Sequence, residues 1–75
     1  MEETYKESSI RQANAYVLER RHEILEAFDT ESLERVAAKH WMNLLKMDDK
    51  GNKRYMRVTK SALLNAMLTI IPRQS

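Results

Sequence analysis

Apolar residues recur at helical spacing over most of the chain. Read at 100° per residue, Ile10, Val17, Ile24, Leu25 and Phe28 gather on one side of a first segment, with Leu18 at its edge. Thr4-Tyr5-Lys6-Glu7 fits a capping box at its start, so one helix is expected over residues 5–28. Asn14 and Arg21 fall inside that apolar arc. An arginine there is costly to bury unless paired. Arg21 is therefore expected to snorkel to the edge, to meet an acid from another segment, or to sit between subunits.

Asp29-Thr30-Glu31-Ser32 reads as a break followed by a new cap. A second helix is expected over residues 31–47, with Leu33, Val36, Ala37, His40, Trp41, Leu44 and Met47 on one face and Met42 pointing away. Asp48-Asp49-Lys50-Gly51-Asn52 is the clearest turn signal. Residues 53–58 then alternate: Met56 and Val58 share a side with Arg54, and Lys53, Tyr55 and Arg57 share the other. A period of two predicts a short extended or β segment. Thr59 caps a last helix over residues 60–71, which Pro72 ends. Leu63, Leu64, Ala66, Met67, Ile70 and Ile71 cover most of its circumference, and Leu68 lies nearly opposite Leu63. Such a helix is buried on several sides. It is either a central helix wrapped by the other two or the seam of a dimer or protein complex.

The expected fold is thus mainly α: one domain of three helices over residues 1–75, with a short extended segment before the last helix. Seventy-five residues bury a modest core. Below about 80 residues a disulfide, a metal or a partner usually adds support. There is no cysteine, and two histidines without a thiolate make a poor zinc site. That leaves a homodimer or a protein partner, or a small bundle that stands alone. No signal-like stretch and no membrane-length apolar run is present, which points to a cytoplasmic protein.

Searches for chemistry come back empty. The chain has no nucleophile elbow, and a single glycine cannot build a phosphate-binding loop or dinucleotide fingerprint. The turn at residues 48–52 departs from a calcium loop, with Lys53 where glycine and Thr59 where a bidentate glutamate are needed. His22 and Glu26 stand one helical turn apart but lack further ligands. His40 reads as a partly buried histidine bonded to a carbonyl or carboxylate, or as a pH-sensitive group. No catalytic residue, cofactor, metal or small-molecule substrate is expected.

Charge supplies the functional signal. Residues 1–38 carry five Lys/Arg against nine Asp/Glu, a balance of −4, whereas residues 39–75 carry eight against two, a balance of +6. Lys39, Lys46, Lys50, Lys53, Arg54, Arg57 and Lys60 crowd into 22 residues around Tyr55. These cations would neutralise phosphates, and Tyr55 would stack on a base or sugar. The break at residues 28–31 would also serve a helix-turn-helix, presenting Arg35, Lys39, Met42, Asn43 and Lys46. The expectation is a small dimeric regulator that binds DNA or RNA through residues 39–60. The alternative is a protein-interaction module, with Arg21, Trp41, Met42, Leu64, Met67, Leu68 and Ile71 as its contact residues.

Overall fold

The computed structural model describes residues 2–28, 32–51 and 55–71. Among these residues there are four helices: α1 (Tyr5–Glu19), α2 (Arg21–Phe28), α3 (Leu33–Asp49) and α4 (Lys60–Ile70). The mainly α expectation holds at this level.

The caps explain the boundaries. The Thr4 hydroxyl accepts a hydrogen bond from the Glu7 backbone N–H at 3.1 Å and donates to the Glu7 carboxylate at 3.0 Å. Ser32, the last residue of the anticipated break, caps α3 by accepting from the Arg35 N–H. Thr59 caps α4 by accepting from the Ala62 N–H at 3.1 Å. After α3 the chain passes through Gly51 at φ 88°, a left-handed conformation that favours glycine.

Two expectations need correction. The single helix over residues 5–28 is two helices. Arg20 leaves helical geometry (φ −117°, ψ 23°), and its N–H reaches back to the Val17 carbonyl. Neither glycine nor proline marks the spot, and Val17 and Ile24, on either side of it, both lie in the core at 0% exposure. Among the described residues 55–58 the extended segment is also not found. Tyr55, Met56 and Arg57 form a turn closed by the Val58 N–H on the Tyr55 carbonyl, while Lys53 and Arg54 lie outside the described residues. The alternation there reflects a turn that buries Tyr55 and Val58 and leaves Met56 and Arg57 outside.

α4 packs against both α1 and α3, and α2 packs against α3 and α1. Leu63, Ala66 and Met67 of α4 meet a core that includes Tyr16, Val17, Val36, Leu44 and Val58. The apolar circumference of α4 is therefore covered largely within one chain. Leu64 and Ile70 stay half-buried and Leu68 is exposed.

The buried side of α1 is made of small and polar residues, Ser8, Ser9 and Ala13, followed by Tyr16 and Val17. Ile10 and Leu18 remain exposed. Small side chains let α1 approach α4 closely, and the larger residues are displaced to the flank.

Candidate functional site

α3 sets out its cations in a stripe. Its buried face carries Val36, Ala37, His40 and Leu44. On the far side Arg35, Lys39 and Lys46, with Lys50 at the cap, all stand exposed. At 3.6 residues per turn these four fall within about 60° of one another. Met42 and Asn43, also exposed, flank the stripe. The helix thus turns one side to the core and a run of positive charge to solvent.

The remaining basic residues are less uniform. Lys60 is exposed at the first turn of α4. Arg57 is exposed, lies 5.5 Å over the Tyr5 ring, and donates its backbone N–H to Gln12 Oε1 at 3.1 Å. Tyr55 is not available for stacking. It is 4% exposed, and its hydroxyl donates to Glu19 Oε2 at 2.6 Å.

The anticipated interface residues scatter. Met67 and Ile71 belong to the core; Trp41 and Leu64 are half-buried against it; Arg21, Met42 and Leu68 are exposed. Arg21 escapes the apolar arc because the break at Arg20 intervenes.

A polar-aromatic cluster joins α1, α3 and the turn before α4. The Tyr16 hydroxyl and His40 Nδ1 share a hydrogen bond of 2.7 Å, and both residues are buried. Tyr16 meets the Tyr55 ring edge-to-face at 5.3 Å between centroids. The Arg20 guanidinium sits 4.0 Å over the Tyr16 ring and pairs with Glu19 at 3.4 Å. Burial pushes the His40 pKa below its ordinary value; the Glu23 carboxylate opposes this, and the charges of Arg20 and Lys39 add to it. Burial likewise raises the Tyr16 pKa. Both groups are held neutral, which suits a buried pair. Spacing put His40 on the apolar face, but nothing in the sequence named Tyr16 as its partner. Arg20, rather than Arg21, is the arginine laid against the core.

Among the described residues no three His, Cys, Asp or Glu side chains converge as a metal would require. Among the same residues no helix is long and apolar enough to cross a membrane. No family model, no curated protein and no solved structure matches the chain.

Proposed function

We propose that this chain is a small nucleic-acid-binding protein that grips phosphates through the exposed face of α3. The observation that carries the reading is the alignment of Arg35, Lys39, Lys46 and Lys50 on one side of a helix whose other side is anchored in the core. Neutralising a row of phosphates needs cations, and an anchored helix holds them in a fixed row. The contact region moves from the anticipated 39–60 segment toward α3, with Lys60 at its margin. Tyr55 drops out.

Fluorescence anisotropy with duplex and single-stranded probes tests the reading. Binding should weaken steeply with salt. Arg35→Ala with Lys46→Ala should lower the slope of log K against log salt by about two. A slope unchanged by the double variant, or no binding at low salt, would overturn it.

A second reading has its own observation. Met42 and Leu45 are 56% and 44% exposed on α3, beside half-buried Trp41. An apolar strip of this kind suits an adaptable protein contact. Affinity purification yielding one stoichiometric protein, retained at high salt and free of nucleic acid, would favour it.

A further inference from the structure

We propose that two copies of this chain associate through the outer face of α1, antiparallel about a two-fold axis at Asn14. The pairing stands apart from the nucleic-acid reading, since it uses none of the α3 cations. It starts from Ile10 and Leu18, which are 46% and 54% exposed. Residues four apart on a helix lie one above another, so Ile10, Asn14 and Leu18 form a single ridge. Together with Glu7, Arg11 and Ala15 they line a shallow groove of about 500 Å³ along the outside of α1.

The polar residues of this face indicate what covers it. Arg11 is already paired with Glu3 at 3.1 Å. Glu7 and Arg21 are exposed, and among the described residues neither has an oppositely charged partner. The Asn14 side chain, half-buried in the middle of the ridge, has no hydrogen-bond partner among them either. Their spacing is symmetric. Glu7 lies seven positions before Asn14 and Arg21 seven after, while Ile10 and Leu18 lie four to either side. Only Arg20 separates α1 from α2, so Arg21 stands at the end of the ridge.

Such a face is complementary to itself. In an antiparallel pair with its axis at Asn14, positions equally far before and after Asn14 meet across the two-fold. Ile10 packs on the partner's Leu18, and Leu18 on the partner's Ile10. Glu7 faces the partner's Arg21, twice over. The two Asn14 amides bond to each other, since each carries a donor and an acceptor. A lone asparagine in an apolar helix seam fixes register in this way. A parallel pair would instead set Glu7 against Glu7 and Arg21 against Arg21. α1 has 15 residues and is about 22 Å long. One helix pair of that length covers less than the roughly 1,200 Å² of a standard interface, so the dimer is a weak one that forms at high concentration.

The chain has no cysteine, so single introduced cysteines report the register cleanly. A disulfide forms only where the Cα atoms lie within about 7 Å. Asn14→Cys sits on the axis and should link to itself when the full chain is oxidised at millimolar concentration. Ile10→Cys leaves its two thiols eight positions apart along the pair, about 12 Å, too far to bridge. It should link instead to Leu18→Cys in an equimolar mixture. Leu68→Cys, at an exposed position on α4, gives the rate of chance collision. These positions are exposed or half-buried, so each variant should keep the helix content of the unaltered chain by circular dichroism.

Sedimentation equilibrium supplies the second arm. Glu7→Arg and Arg21→Glu should each weaken self-association about threefold or more, and the two together, which exchange the charges, should restore it. The α3 double variant, Arg35→Ala with Lys46→Ala, should associate like the unaltered chain, so the two proposals fail separately. A chain that stays monomeric at millimolar concentration overturns the pairing and leaves the face to a different protein. Asn14→Cys linking no faster than Leu68→Cys, or Ile10→Cys linking to itself as readily as to Leu18→Cys, overturns it as well. So does self-association abolished by the α3 double variant, which would assign a head-to-tail contact between the basic stripe and an acidic face.

Discussion

His40 is 6% exposed and its Nδ1 lies 2.7 Å from the Tyr16 hydroxyl. Its pKa, held below 6.5 by burial, makes the fold sensitive to acid. As pH falls below about 6.5, the histidine of the unfolded chain takes up a proton before the folded one does. Stability from this group is fully present above that point and declines as pH falls toward the folded-state pKa. Urea unfolding at stepped pH should show this decline, and His40→Gln should flatten it. At the alkaline end the sign reverses. Tyr16 keeps its proton beyond pH 10, so stability falls as unfolded tyrosines ionise above that value. Tyr16→Phe leaves a buried ring nitrogen unpaired and should cost about 1–3 kcal/mol in urea unfolding at pH 7. The residue scale was the least legible from sequence. Spacing placed His40 on a buried face, but its hydroxyl partner comes from a residue 24 positions away.

Boundaries were easier to read at the scale of elements, because caps are local chemistry. Thr4 and Thr59 stand where hydroxyl capping put them, and the start of α3 shifted only to Ser32. The break at Arg20 and the buried face of α1 were not legible, because both answer to α4 and α3 across space. Large apolar residues ordinarily mark the inner face; here the close approach of two helices selects small ones. Ala13→Leu, at a position with 0% exposure, should therefore destabilise by about 1–3 kcal/mol through overpacking. Ile10→Ala, at a 46% exposed position, should stay within about 0.5 kcal/mol. Thermal unfolding of the two variants checks the contrast, which the hydrophobic pattern taken alone would invert. Gly51→Ala should cost about 1–2 kcal/mol from backbone conformation alone, since nothing lies within 4 Å of the added methyl.

The whole molecule has a small margin. Chains of this length are stable by about 4–11 kcal/mol. Leu63 is 0% exposed at the centre of α4, and Leu63→Ala should remove about 2–5 kcal/mol of that. Circular dichroism at room temperature should find that variant close to its unfolding transition. The helical class was legible because composition and periodicity agreed over most of the chain. The charge division was legible too, and it survives folding as the exposed stripe on α3. Spacing already put Arg35, Lys39 and Lys46 on one outward face; what the sequence could not show was that Lys50 caps the same helix and that Tyr55 is buried.

The uneven exposure of the three tyrosines also has a chemical outcome. Tyr16 and Tyr55 are 2% and 4% exposed, against 61% for Tyr5. Mild nitration should therefore mark a single phenol, at Tyr5, with mass spectrometry of the digest as the readout. The nitrophenol formed there would be an optical probe at the start of α1.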